Sequence, residues 1–459
     1  MPEVRHGVRG RGDAGSGDGH AGRDLTATVI GGGLAGCEAA WALAERGVRV
    51  TLVEMRPGVG TPAHRTDLLA ELVCSNSFKS VETSNAHGLL KAELRLLGSL
   101  LLRCADEARV PGGAALAVDR TAFAGRATEL VSGHPGVRVV REEAADLPAV
   151  GIVATGPLTS SRLSAAIARR LGAEALAFYD AIAPIVADDS LDRSRLFAAS
   201  RYGKGDGDDY LNAPLSESEY GDFVAALTTA DRYQAHAFDD VPYFEGCLPV
   251  EEMAGRGRDA LRFGPMKPVG LAEPASGRRP FAVVQLRRED RAGQMWNLVG
   301  FQTRLRTGEQ QRVFRTIPGL AAAEFLRYGS IHRNSYLDTP ACLSAHLALR
   351  DAPTTLFAGQ LTGIEGYTES LGTGLLAGIN LARLLRGREP LLPPPETMLG
   401  ALYAYLRSAD PAAFQPMNAN FGLLPPLAQA PRDRAAKRAL LVERALAAMR
   451  AFAGSVDEG

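Results

Sequence analysis

Cysteine is scarce in this chain and never paired. The 459 residues hold five cysteines, Cys37, Cys74, Cys104, Cys247 and Cys342. The number is odd, the spacing is wide and no C-x-x-C pair occurs, which excludes a disulfide framework and a zinc site and fits a reducing cytoplasm. Net charge is also lacking, at −1, so the molecule as a whole is not a basic nucleic-acid binder, although a local basic surface is still open. No apolar run reaches the roughly 18 residues that a bilayer crossing needs. Residues 1–24 have neither an apolar core nor a cleavage-site pattern, so they are not a signal peptide and read as a disordered tail. The fold is expected to begin near Leu25.

Glycine, by contrast, is plentiful, at 50 residues, and the hydrophobic fraction of 46% can fill a large core in more than one domain. The glycines are placed with purpose. Residues 27–54 read ATVIGGGLAGCEAAWALAERGVRVTLVE. A short apolar run is followed by Gly31, Gly33 and Gly36 in G-x-G-x-x-G spacing, then an alanine-rich helix ended by Gly47, then a second apolar run closed by Glu54. The first glycine permits a tight turn, the second lets a pyrophosphate approach the backbone, and the third lets helix and strand pack closely. The turn, Gly31, Gly32, Gly33, Leu34, Ala35 and Gly36, is expected to hold a dinucleotide. Glu54, about twenty residues on, stands where its ribose hydroxyls would lie, and a carboxylate there disfavours a 2′-phosphate.

The stretch 55–90 carries Pro57, Pro62 and several glycines, so it reads as a long loop beside the nucleotide, with Cys74 inside it. Ser84 or Asn85 can cap a helix over 89–104 whose leucine stripe is core. A strand over 148–156 ends in Ala154-Thr155-Gly156, a pattern of two-dinucleotide flavoproteins. Near the other end, a strand over 355–358 leads into Gly359, Gly363, Glu365, Gly366, Tyr367, Thr373 and Gly374, before a helix over 375–385. Glycines ahead of a helix aim backbone N–H groups and the positive end of its dipole at an electron-rich group such as a flavin pyrimidine edge. This second segment favours tightly held FAD over an exchanging NAD. Tyr367 as plain core is nearly as good a reading as Tyr367 against a ring.

The fold class expected is α/β: a Rossmann-like two-dinucleotide-binding FAD domain with an inserted α+β substrate domain. Its parts are a tail (1–24), the FAD domain's first part (25–156), the insert (157–328), the FAD domain's second part (329–390) and a C-terminal helical segment (391–459). Between residues 255 and 316 there are 13 Arg plus Lys against 5 Asp plus Glu. Arg256, Arg258, Arg262, Lys267, Arg287 and Arg288 stand out. A solvated surface explains such a run as well as an RNA-contacting one does.

Taken together, the strings VIGGGLAGCEAAW (29–41), VCSNS (73–77), YFEGCLPVEE (243–252), FGPMKPVGL (263–271) and the pattern around 363–374 resemble one family. It is the folate- and flavin-dependent tRNA uracil-5 methyltransferase family, related to the GidA-type tRNA-modifying flavoproteins, and the resemblance covers about residues 25–450. No cysteine stands near Leu196, where some relatives carry one, so that position has no role. The resemblance implies transfer of a one-carbon unit from 5,10-methylenetetrahydrofolate to C5 of the T-loop uridine of tRNA (position 54). Reduced FAD is the reductant and NAD(P)H regenerates it. Such chemistry asks for a thiol that adds to uracil C6 and a second group that takes the C5 proton. By resemblance Cys247 is the nucleophile and Cys74 the proton acceptor, although the residues alone do not order the two. Glu245 and Glu251 beside Cys247 would oppose a thiolate, so an activating cation, Lys267 or Arg287, is expected. Cys37, Cys104 and Cys342 read as small buried hydrophobes. Rival readings are the same chemistry on ribosomal RNA, a GidA-like wobble-uridine subunit, and a small-molecule FAD oxidoreductase.

Overall fold

The computed structural model describes residues 25–61, 63–172, 176–233, 248–290, 293–411 and 414–457, with the side chains of 176–182, 330–334 and 457 outside the description. Five parallel strands form the central sheet. In spatial order they are Thr355–Phe357, Gly151–Val153, Thr26–Ile30, Arg49–Glu54 and Val137–Arg141. Val29, Leu52, Ile152, Val153, Leu356 and Phe357 are fully buried, the near-continuous apolar reading expected when helices cover both faces. From its first strand the chain builds to one side, then returns to build on the other. That reversal opens a crevice beyond the carboxyl ends of Thr26–Ile30 and Gly151–Val153.

Two helices cross on this sheet almost backbone to backbone. The first is Leu34–Ala44 and the second is Tyr367–Leu385. A Cβ at Gly374 would collide with the Ala35 carbonyl, and one at Gly378 would lie 2.7 Å from the Ala39 carbonyl oxygen. The expected helix over 375–385 therefore starts eight residues earlier, at Tyr367. Its glycines look like loop residues in the sequence, but here they are helical and serve close packing.

The expected helix over 89–104 is two helices, Ala86–Leu96 and Leu100–Glu107, with Asn85 capping the first. Gly98 adopts φ 78° between them, and Ser99 caps the second by accepting from the Leu102 N–H. Two buried carboxyls hold helix starts from outside. Glu38 accepts from the N–H groups of Leu100 and Leu101, and Glu93 from those of Met398 and Leu399 at the start of Met398–Ser408. Burial outweighs these bonds, raising Glu38 to about 7 and Glu93 to about 8.

The insert has its own core around a six-stranded antiparallel sheet. Its order is Phe197–Ala198, Tyr210–Leu215, Ala282–Arg288, Met295–Leu298, Ile185–Ala187 and Phe325–Arg327. Tyr220, Phe223, Met266, Trp296, Phe301 and Phe314 fill that core. Helix Ser161–Leu171 lies inside the expected insert, yet it buries Leu163, Ala166 and Ile167 in the first core. The ribbon of Leu176–Ile182 and Ser330–Tyr336 then joins the two units. Helix Arg434–Asp457 returns Leu441, Ala445, Met449 and Phe452 to the first core at helical spacing. Among the described residues no helix is long and apolar enough to cross a membrane.

Candidate functional site

The groove that can take a dinucleotide begins at the first glycine turn. Gly31 leaves its strand at φ 102°, and its N–H donates to the Val53 carbonyl at 2.8 Å. A Cβ on Gly36 would collide with the Gly31 carbonyl, whereas the Cβ direction of Gly33 meets nothing within 4 Å. Gly33 caps helix Leu34–Ala44 without any side-chain bond, and no acid stands in the first turn. The helix's first N–H groups thus face open space, the arrangement that receives a pyrophosphate. Leu34 is half-buried, while Ala35 is buried with its backbone against Gly374 and its methyl against Gly359. The groove is completed by Met55, Arg56, Glu142, Glu143, Thr155 and Thr159, and it widens into about 820 Å³ bounded by Val59, Gly60, Leu158 and Ser335. These features fit a dinucleotide.

Glu54 lines this groove, but its carboxylate is already engaged. It accepts from the Gly32 N–H at 2.8 Å, the Arg56 N–H at 3.0 Å and Arg56 Nε at 2.8 Å. Burial alone would raise its pKa, but the Arg56 bond and charge and the two N–H groups outweigh that, and the carboxyl lies below its usual range. A carboxylate has about four acceptor sites, so one oxygen lone pair is left for a ribose hydroxyl. Arg56 also bonds Glu71 at 3.0 Å and the Thr66 carbonyl at 3.2 Å, which fixes the loop beside the groove.

The second glycine segment bends sharply after Thr355–Phe357. Gly359, Gly363 and Gly366 take φ of 76°, 80° and 123°, values that favour glycine. Gly366 caps Tyr367–Leu385 with no side-chain bond, and, unlike the first helix, this one carries an acid in its first turn: the Glu369 carboxylate lies where a Cβ on Gly366 would stand. Glu365 is half-buried, accepts from Gln360 Nε2 and donates its N–H to the Met417 carbonyl at 2.8 Å. Thr373 lies inside the helix and accepts from the Gly359 N–H at 2.8 Å, while Gly374 faces Ala35. Glu369 is buried, 3.2 Å from His87 Nδ1, and accepts from the Ala419 N–H at 2.9 Å. Burial would raise Glu369, yet the His87 bond, the charges of Lys79 and His87, and the Ala419 N–H together lower it to about 2.

Tyr367 connects this segment to Cys74. Its hydroxyl oxygen accepts from the N–H groups of Cys74 at 2.8 Å and Ser75 at 3.0 Å. Burial foremost, with the Cys74 thiol beside it, pushes the phenol's pKa up. The carbonyls of the same loop point the other way. Arg120 donates to the carbonyls of Leu72 at 2.8 Å and Cys74 at 3.3 Å, and Arg327, from the insert, donates to that of Val73 at 2.9 Å. Arg120 pairs with Glu289 of the insert at 2.7 Å. Asn76 accepts from Arg287 Nε at 2.9 Å and donates to the Arg288 carbonyl at 2.8 Å. The half-exposed Cys74 therefore stands on the seam between the two units.

Cys247 lies outside the described residues. Its neighbour Glu251 is buried, accepting from the Thr303 hydroxyl at 2.8 Å and the Arg304 N–H at 2.7 Å, and burial raises its pKa. The basic run divides. Arg256, Arg258 and Lys267 are exposed, with Arg258 paired to Glu217 at 3.0 Å. Arg262 lies 3.8 Å from the Phe281 ring centroid, and Arg288 is half-buried 5.6 Å from the centroid of Trp296. Arg287 does not belong to an RNA-facing surface: it is 7% exposed and turned inward onto Asn76. Burial raises Cys37 beyond the range of a reactive thiol, takes Cys104 up to about 12 and raises Cys342. Asn76 lies in the family-matching string VCSNS (73–77), yet the sequence alone gives it no role, nor any to Arg120 and Arg327, because their partners are distant in sequence.

Known proteins bear on this geometry. The family described as glucose inhibited division protein A matches residues 26–389. A Geobacter sulfurreducens protein named methylenetetrahydrofolate–tRNA-(uracil-5-)-methyltransferase TrmFO is 58% identical over 422 residues, 92% of this chain and 97% of that one. A Moorella thermoacetica protein of the same name is 56% identical over 420 residues, 91% and 96% of the two chains. Among solved structures, Aquifex aeolicus GidA superposes with a TM-score of 0.70 at 17% identity, covering 94% of this chain and 74% of that one, a likeness of fold.

Proposed function

The chain belongs to the glucose inhibited division protein A family and, within it, to the folate- and FAD-dependent tRNA uracil-5 methyltransferases, and from that premise we propose that it methylates C5 of the T-loop uridine (position 54) of tRNA. The carbon donor is 5,10-methylenetetrahydrofolate. FAD held in the groove would supply, once reduced by NAD(P)H, the hydride that completes the methyl group. The protein's own residues hold and orient. Gly31, Gly33 and the first helix's N–H groups would receive the pyrophosphate, Glu54 a ribose hydroxyl, and the segment around Gly366 would face the flavin. Cys247 adds to C6 of uracil and Cys74 takes the C5 proton. The reaction runs in the cytoplasm, where folate and tRNA are present.

The observation that carries this reading is the Cys74 loop. Tyr367, from the helix that meets the flavin, holds its N–H side, and Arg327 of the insert holds its carbonyl side. A thiol fixed between a cofactor unit and a basic unit suits a base delivered by RNA to a reduced cofactor, whereas a small-molecule oxidase does not require it. The test is to incubate the purified holoprotein with methylenetetrahydrofolate, NADPH and tRNA lacking the modification, then to look for 5-methyluridine in digested RNA. Product on tRNA is expected. Product on ribosomal RNA alone would move the substrate, and no product on either would overturn the reading.

A further inference from the structure

The seam holds a second cleft that the chemistry above does not use. It encloses about 220 Å³, and Ser80, Gly113, Arg201, Lys204, Tyr210 and Gln285 line it. Arg201 is its unusual member. Nε donates to Gln285 Oε1 and Nη1 to the Val269 carbonyl, both at 2.7 Å. Among the described residues no carboxylate pairs with it, although burial makes the charge costly and lowers its pKa. A half-buried guanidinium held by neutral acceptors, with an open side, is suited to an anion.

Tyr202 stands beside it in an uncommon state. Its backbone is left-handed, at φ 58° and ψ 24°, although three glycines follow at 203, 205 and 207, where such a conformation costs little. One face of the ring lies on Gly270, where an added Cβ would be 2.9–3.0 Å from three ring carbons. The residue is nevertheless 68% exposed. The result is a flat aromatic backed on one side and open on the other, next to an unpaired cation. Aromatics and cations so placed bind unpaired nucleic acid, since every base offers a face to stack. The cleft also neighbours Cys74. Gln285 and Arg287 share one face of strand Ala282–Arg288, and the first bonds Arg201 while the second bonds Asn76. The two contacts lie about 7 Å apart along the strand.

We propose that this cleft is a nucleotide subsite for unpaired RNA, in which Arg201 takes a backbone phosphate and the open face of Tyr202 stacks on a base flanking the target uridine. The proposal rests on the reading of the chain as an RNA uridine methyltransferase. Its test uses holoprotein and an unmodified tRNA transcript. Tyr202→Ala weakens tRNA binding about tenfold and raises KM for tRNA similarly, with kcat at saturation and bound FAD unchanged, while Tyr202→Phe behaves as wild type. Arg201→Gln lowers the slope of log K against log salt by about one. A transcript carrying 4-thiouridine in the T-loop crosslinks wild-type protein on the peptide holding Tyr202, a readout independent of how any variant folds. Wild-type binding by Tyr202→Ala, or crosslinks confined to other peptides, overturns the subsite. A wild-type protein that neither binds nor methylates tRNA removes the parent reading, and the subsite with it.

Discussion

Replacing Tyr367 by Phe should loosen the Cys74 loop and little else. The substitution keeps the ring, which packs 5.6 Å from Phe78 by centroid, and removes one oxygen. That oxygen accepts two backbone N–H groups, at 2.8 and 3.0 Å. Each bond contributes about 0.5–1.5 kcal/mol net, and a buried N–H left unpaired costs more. Losing both should favour local opening by about 2 kcal/mol, or roughly thirtyfold in the opening equilibrium. Hydrogen exchange read by mass spectrometry isolates the effect. Amides of Cys74 and Ser75 should exchange at least tenfold faster, while peptides from Thr26–Ala44 and from strand Ala282–Arg288 keep their protection. Since Arg120 and Arg327 still hold the carbonyl side, the loop should remain in place on average. Unchanged exchange at Cys74 and Ser75 would show that the phenol is not what orders the loop, and would remove the argument that links the second glycine segment to the thiol.

Three further outcomes follow from the same geometry. Gly374→Ala forces a methyl group against the Ala35 carbonyl; overpacking of this kind costs about 1–3 kcal/mol, so FAD should be lost on desalting and the melting temperature should fall, and a variant that retains its flavin and melts as wild type contradicts the close crossing. Glu93, raised to about 8 by burial from a reference of 4.5, holds in the folded state a proton that the unfolded chain releases, so its contribution is full below about pH 4.5 and declines as pH rises to about 8; Glu93→Gln should gain on wild type by a few degrees in melting temperature between pH 5 and pH 8, and a difference independent of pH refutes the shift. With RNA containing 5-fluorouridine, Cys247→Ala should abolish the covalent adduct seen on denaturing gels and Cys74→Ala should leave it, the opposite pattern exchanging the two roles.

Where side chain, turn and partner lie within one short window, the sequence is legible. Gly31 to Glu54 is such a window, and strand, turn, helix and acid stand where spacing puts them. The second glycine segment was half legible. Gly359, Gly363 and Gly366 do bend the chain, but Gly374 and Gly378 are glycine because a neighbouring helix passes close to them, and a single chain read alone cannot distinguish a bend from a crossing. Gly98 and Ser99 are a local stop and start signal, but the continuous leucine stripe across them masks the break. Arg287 read as part of a basic surface, yet in an antiparallel strand its face is set by register with Tyr210, and that register turns it inward.

The thiol site itself is the least local feature of the chain. Residues 72–75 aim three carbonyls at arginines and two N–H groups at a phenol, and a free loop has no reason to adopt that polarity. Its partners lie 48, 254 and 293 residues away in sequence. Two of them, Arg120 and Arg327, repel one another, and burial lowers the basicity of Arg327 further. Glu289 offsets this through Arg120, and the loop carbonyls offset the rest. The arginines therefore need the Cys74 loop as much as the loop needs them, and Glu289, Arg287 and Arg327 all come from the insert. A shift of the insert relative to the sheet would disturb the loop's carbonyl side before its N–H side. The position of Cys74 is thus set jointly by the sheet unit and the insert, which is the physical reason that the proposed chemistry belongs on the seam rather than within either unit.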